Sequence, residues 1–532
     1  MKETDQNVSN EILLNNANNS NYENEKENCK DDEKKDGNEE PKKVNSFITV
    51  LSIWSSMIGS STVSIPYNIY MSGIIPGIIL CIIYGLLCFY TCKIYVDFGV
   101  KEPDFSTTIE KYFNKMFGPK IAKIAKNIQV LFCILVTTGG FLIYFLIMSQ
   151  NLYSIACLIL NKIGFEIDAK DLTPEFGRFS FIYLGIVLAF ILFPLTIKKD
   201  LSFLIKISSL GVYFVSILIF YMIYTGISSI INTDFHFDYI KNKENSKDRY
   251  LYNFGENIGL LAGALSLGFF CHTSILPTLK NNKNQNNNIR DLLLGYIFSG
   301  LTFALTGIIG YIGFSGTKFD VEFQKNWFLF FDYDDYYILF FRLLNVFQLG
   351  VVFPILVYVV RFQIFNTLYG NDYPSKKIIL IYAITALILC LIIVYFCYGI
   401  LSELIGIIGA TTSLILIYTF PPIIKILSYI MKKKNIYLEI ENFNKISISS
   451  NSEKNKANED KEKEETEETE ETNKIETNNE KVNENKEEKV KIRYTFIDIL
   501  YIIGHLCFII IGILTVVIQF VPINIFNVTY TN

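Results

Sequence analysis

Eleven stretches of twenty or more mostly apolar residues divide this chain, near 47–70, 73–98, 124–152, 178–197, 203–231, 255–279, 289–314, 336–369, 376–399, 402–430 and 494–520. A helix needs roughly 20 such residues to cross the hydrocarbon core of a bilayer. Inside that core every backbone N–H and C=O must be satisfied within the chain, so the runs are read as helices. The expected fold is an all-α polytopic membrane protein of about eleven transmembrane helices. The long third and eighth runs are expected to tilt or to project beyond the bilayer.

The charge distribution agrees. Of 100 charged side chains, 19 lie in residues 1–46 and 31 in residues 431–493. The rest of the chain is then about 12% charged, against roughly 25% in a soluble domain. The membrane portion sums to about +4, too diffuse for a nucleic-acid footprint. Only Cys29 of the ten cysteines lies outside an apolar run, so no disulfide framework is implied. The first ten residues lack a basic n-region and an apolar h-region, so the first span is expected to direct insertion.

Lys and Arg of the short loops fall on one side if the N-terminus is cytoplasmic, and the opposite loops are acidic or nearly uncharged. The 232–250 loop, with several lysines, breaks the trend. An odd number of spans places residues 521–532 outside. Residues 1–46 and 431–493 are rich in Asn, Glu, Lys and Thr and nearly devoid of aromatics. They are expected to be disordered cytoplasmic segments, either solvated filler or the seat of a cytoplasmic regulator.

The three histidines, His236, His272 and His505, form no metal-ligand spacing, and neither a P-loop nor a GxSxG is present. No enzyme, metal or cofactor is implied; the implied surroundings are the lipid bilayer and a small molecule. The chemistry concentrates in two interrupted spans five apart. The first carries Gly59-Ser60-Ser61-Thr62-Val63-Ser64-Ile65-Pro66, and the sixth carries Ser266-Leu267-Gly268-Phe269-Phe270-Cys271-His272 ending in Pro277. Gly and Pro at membrane depth need partners for the freed backbone or must line a cavity. Two such spans in matching places are the signature of an inverted-repeat transporter, although either alone fits glycine-mediated helix packing.

These residues resemble the amino acid/auxin permease family. Gly59 to Tyr67 is similar to its G-x-G-x-L-x-L-P-Y element, and Phe269-Phe-Cys-His272 with Leu276-Pro277 to its sixth-helix F-x-C-H-x-x-x-L-P. Phe193-Pro194-Leu195 with Lys199-Asp200-Leu-Ser202, Pro354 with Arg361, and Gly409-Ala410-Thr411 before Pro421 extend the similarity. It spans residues 47 to about 430, and the nearest branch is that of the system A/N-like neutral amino acid transporters. The resemblance implies a five-plus-five inverted repeat of LeuT-like type within the amino acid–polyamine–organocation superfamily, with helices 1 and 6 discontinuous. It further implies substrate amino and carboxylate groups held by unwound backbone at Gly59–Val63 and Ser266–Phe270. Pro66, Pro277, Pro354 and Arg361 are then helix-break or gating positions.

The departures bear on the coupling ion. Sodium-coupled members carry Asn where this chain has Ser55, and hydroxyl residues where it has Val352 and Gly350. The expectation is therefore H⁺ coupling or facilitated transport rather than Na⁺. His272, whose imidazole ordinarily titrates near pH 6.5, is a natural proton carrier, though it also reads as a packed structural histidine. Glu256 and Glu403 are further candidates, each also readable as a solvated helix-end charge. His505 and Asp498 are weaker ones. Rival readings are a polyamine or cationic-amphiphile transporter, with Phe269 and Phe270 stacking on the cation, an amino-acid sensor signalling through its tails, and a channel.

Overall fold

The computed structural model describes residues 44–99, 105–167, 171–176, 179–198, 211–231, 236–238, 250–255, 257–314, 325–331, 335–369, 375–434 and 495–520. Residues 1–43, 435–494 and 521–532 and Glu256 lie outside them.

The first pass is two helices, α1 (Ser46–Met57) and α2 (Ser60–Ser72), bent by 59°. The second is α3 (Ile74–Gly99). An amphipathic helix, α4 (Phe105–Phe117), leads to α5 (Pro119–Ile163), α6 (Phe181–Ile197) and α7 (Gly211–Ile231). Two three-residue strands, β1 (His236–Asp238) and β2 (Tyr250–Tyr252), pair in parallel before the sixth pass. That pass is again interrupted, into α8 (Ile258–Gly268) and α9 (His272–Lys280). There follow α10 (Asn288–Phe314), α11 (Tyr336–Tyr369), α12 (Lys376–Cys397), α13 (Leu401–Leu416), α14 (420–434) and α15 (Phe496–Phe520). Among the described residues nine segments are long and apolar enough to cross a membrane. The bent α1–α2 pair makes a tenth and the 17-residue α6 an eleventh. The outer surface is a belt of exposed Ile, Leu and Phe, as a bilayer requires.

Passes one to four each pack against the pass five places later: α2 on α8, α3 on α10, α5 on α11, and α6 on α12. An offset of five reverses direction through the membrane, so each pair is antiparallel, as a five-plus-five inverted repeat demands. The interruptions fall in counterpart passes one and six. The two longest helices, the 45-residue α5 and the 34-residue α11, are counterparts three and eight. At 1.5 Å per residue each exceeds the roughly 30 Å core and projects from it.

Helix α4 was not anticipated from apolar runs, since a 13-residue amphipathic segment is too short to register as a span. It lies along α5, with Phe105 stacked on Tyr95 at 3.6 Å between ring centroids. Helices α8 and α13 approach through glycine: a Cβ on Gly263 or Gly409 would collide with the carbonyl oxygen of Gly406 or Gly263 respectively. Small residues permit such backbone contact, and packing then replaces the hydrophobic drive that lipid does not supply.

Polar contacts dock the eleventh pass. Thr515 meets the Tyr84 hydroxyl at 2.6 Å, and His505 bridges Tyr90 (2.8 Å) and the Tyr501 carbonyl (2.9 Å). Asp498 accepts from Thr495 N and Oγ1 at 2.6 and 2.7 Å and from Tyr429 and Lys433 at the end of α14. That cluster ties together the two helices flanking residues 435–494. His505 and Asp498 thus anchor the eleventh pass. No disulfide links the described cysteines.

Candidate functional site

The interruption in the first pass is short. Helix α1 ends at Met57, Ile58 is extended, and Gly59 caps α2 at φ −140°, ψ −141°. Ser60, Ser61, Thr62 and Val63 therefore form the first turn of α2; the Thr62 N–H donates to the Gly59 carbonyl at 3.2 Å, and the positive end of the helix favours negative charge. Pro66 sits inside α2, two turns past its start, and packs against α10 at Gly310. The break precedes the proline, correcting the expectation that Pro66 marks it.

In the sixth pass the helix runs on through Ser266 to Gly268, and the chain unwinds at Phe269–Cys271, later than the sequence suggested. Ser266 is a regular helical residue whose Oγ donates to the Ala262 carbonyl and meets the Tyr418 hydroxyl at 3.3 Å. Phe269 is fully buried between Tyr296 and Phe303, and its carbonyl accepts from the Tyr296 hydroxyl at 3.1 Å. Its ring is walled in by protein in this conformation. Phe270 stacks on the His272 ring at 5.4 Å.

The two interruptions are brought together. A Cβ on Gly268 would stand 3.5 Å from the Ser61 Cβ, so the start of α2 meets the end of α8. Beside them Gly59, Thr62 and Val63 line a cavity of about 20 Å³ with Asn345 and Gln348 of α11. That is room for about one water, not for an amino acid. The Thr62 hydroxyl is buried without a hydrogen-bond partner among the described residues. Asn345 and Gln348 were missed in the sequence because they are isolated polar residues in a long apolar span.

A much larger cavity, about 770 Å³, opens on the face at which α1 begins, the near face. Tyr95, Gln129, His272, Pro277, Gln363 and the Glu110–Lys126 ion pair (2.5 Å) are among its walls. His272 is 1% exposed; its Nε2 meets Thr91 Oγ1 at 3.0 Å and its Nδ1 has no partner.

The opposite, far face is shut. Lys325 binds Glu403 of α13 at 2.5 Å, Asn326 donates to Gln150 of α5 at 2.7 Å, and Ser402 donates to Asn68 of α2 at 2.5 Å. Segment 325–331 lies across this face as a lid. Trp327 and Phe328 pack in one apolar cluster with Val63, Met222 and Phe341. Among the described residues the far face is closed and the near face open.

Arg361, expected at a gate, is instead a fastener. It is 2% exposed and donates to the carbonyls of Thr196 (3.0 Å) and Lys198 (2.8 Å), capping the C-terminal end of α6. Pro354 lies within an unbroken α11, and Pro277 within α9 on the wall of the large cavity.

This architecture has known relatives. The family described as transmembrane amino acid transporter protein matches residues 42–441. The chain belongs to that family. It is a multi-pass membrane transporter of amino acids, not an enzyme. Its relatives include neutral amino acid transporter 9 of Danio rerio, 27% identical over 74% of this chain and 76% of that one. The Rattus norvegicus protein of the same name is 26% identical (73% and 74%). A Caenorhabditis elegans relative, described as a sodium-coupled neutral amino acid transporter 9 homolog, is 23% identical (72% and 68%). The transporter is also similar to inward-facing Mhp1, at 12% identity over 71% of this chain and 78% of that one, with a TM-score of 0.46.

Proposed function

We propose that the transporter carries neutral amino acids by alternating access, coupled to protons or facilitative. Its N-terminus is cytoplasmic, and it resides in the plasma membrane or an acidic vacuolar membrane. The observation that carries this reading is the asymmetry of the two faces around the paired interruptions. A 770 Å³ cavity opens on the near face, while the far face is shut by Lys325–Glu403 and the lid. Substrate groups bind at the first turn of α2 and at the unwound Phe269–Cys271. The neighbouring cavity must expand from about 20 Å³ to admit them, which requires helices to move.

Of the proton candidates, His272 stands at the large cavity with one ring nitrogen unused, whereas Glu403 is held by Lys325. Glu256 remains a candidate at the head of the sixth pass. The polar segments 1–46 and 431–493 are where a cytoplasmic regulator would bind.

One observation favours a second reading, sodium coupling. The small cavity at the first break offers the Thr62 hydroxyl and the amides of Asn345 and Gln348, oxygens of the kind Na⁺ prefers. The test is uptake of labelled neutral amino acids into proteoliposomes with Na⁺ replaced by choline, with and without an inside-alkaline gradient. Sodium-independent uptake supports the first reading. Uptake that vanishes in choline establishes the second. Failure of any amino acid to move defeats both.

A further inference from the structure

Arg342 lies one helical turn from Asn345, in the far-side part of α11, and is 2% exposed. Its Nη2 donates to two carbonyls of the lid, Phe328 at 2.9 Å and Phe331 at 3.3 Å. Its Nε and Nη1 are buried and have no acceptor among the described residues. The acid whose charge acts on it, Asp335, spends Oδ1 on the amide N–H groups of Tyr337 and Ile338 at the head of α11. A buried guanidinium with two idle donors is costly, because the charge of Asp335 offsets the desolvation of the cation only in part. Charged groups held at such cost inside a membrane protein are functional candidates by default.

The surroundings say what the cation is for. The lid that covers it buries Trp327 and Phe328 against Val63, which lines the small cavity at the first break. Asn345, one turn further along α11, lines the same cavity. Lifting the lid therefore removes the two carbonyls from Arg342 and exposes a forked cation one turn of α11, roughly 5 Å along the helix, from Asn345 at the cavity. We propose that Arg342 is an anion subsite on the far side, which receives the α-carboxylate of the incoming amino acid when the lid opens. The carbonyls of Phe328 and Phe331 take the carboxylate's place when the lid closes. A planar guanidinium is suited to this, since its fork matches a carboxylate in two parallel hydrogen bonds. Chloride presents the same charge and is the other anion the subsite would accept. The inference rests on the proposed amino acid transport.

The test uses the full chain in proteoliposomes, with labelled neutral amino acids as substrate and L-leucine or L-leucinol as competitor. Leucinol keeps the side chain and ammonium but replaces the carboxylate by a hydroxymethyl group. In the wild type leucine should compete at least tenfold better than leucinol. In Arg342→Gln that preference should fall below threefold, with KM for uptake raised at least tenfold. Arg342→Lys keeps the charge but loses the fork, and should be intermediate; it serves alone if the glutamine variant is not monodisperse. An unchanged preference in the variants overturns the assignment. So does a wild-type rate that falls when chloride is replaced by sulfate, if Arg342→Gln abolishes that chloride dependence while leaving the leucine preference intact. Wild type that moves no amino acid defeats the transport reading instead, which separates the two failures.

Discussion

Lys325 and Glu403 meet at 2.5 Å across the far face, joining the lid to the first turn of α13, and the lysine also sits 5.8 Å from the centre of the Tyr67 ring on α2. One ion pair thus holds three parts of the molecule that must separate for the far side to open. Both side chains are 30% exposed, and partly exposed pairs contribute only about 0.2–1 kcal/mol. The latch is weak enough to be broken at each cycle. Glu403→Gln should shift the resting population toward the far-open state, read as faster alkylation of a cysteine placed at Asn68. The swap of Lys325→Glu with Glu403→Lys should bring labelling back toward wild type.

Gly59 faces the Tyr144 hydroxyl, which lies 2.9 Å from where a Cβ would stand. Gly59→Ala should therefore lower uptake severalfold with normal protein yield, and Gly59→Leu should abolish it. Tyr144→Phe removes the obstructing oxygen and should restore part of the alanine variant's activity. No rescue would mean that the glycine is needed for its backbone rather than for clearance.

Arg361 makes two charge-assisted hydrogen bonds to the end of α6, each worth about 1.5–3 kcal/mol when its partner is buried. Arg361→Ala should lower the midpoint of thermal inactivation in detergent by several degrees and leave KM of surviving protein near wild type. A variant with wild-type stability but raised KM would make the residue a gate after all.

The Gly409→Ala variant should fail to accumulate as monodisperse protein, because its methyl group would meet the Gly263 carbonyl in backbone-to-backbone contact. Gly504→Ala, at a position with nothing near the added carbon, should behave as wild type in the same size-exclusion assay.

Apolar run length made the eleven passes legible, because the bilayer demands long, internally hydrogen-bonded helices and little else produces such runs. The interruptions were legible through Gly59 and the Gly268–Pro277 stretch, but their positions were not. Pro66 and Ser266 drew attention although both lie in continuous helix, since a proline displaces only one hydrogen bond and the chain unwinds where glycine and packing allow. Helix α4 escaped because its apolar face is narrow. Arg342 and Lys325 escaped for a different reason: their meaning depends on a lid whose contacts with α11 and α13 are long-range. A list of charges inside apolar spans would have found Arg342; nothing local would have found its idle donors. Arg361 was found, but its partners were not, because they are backbone carbonyls of another pass.

Alternating access requires the far face to open while the near face closes. The measurement that tests this most directly places cysteines at Lys325 and Glu403 in a cysteine-depleted background and joins them with a short bifunctional thiosulfonate. Cross-linked protein in liposomes should lose amino acid uptake and regain it on reduction, while the unlinked double variant transports. Undiminished uptake by fully cross-linked protein would contradict alternating access through this face.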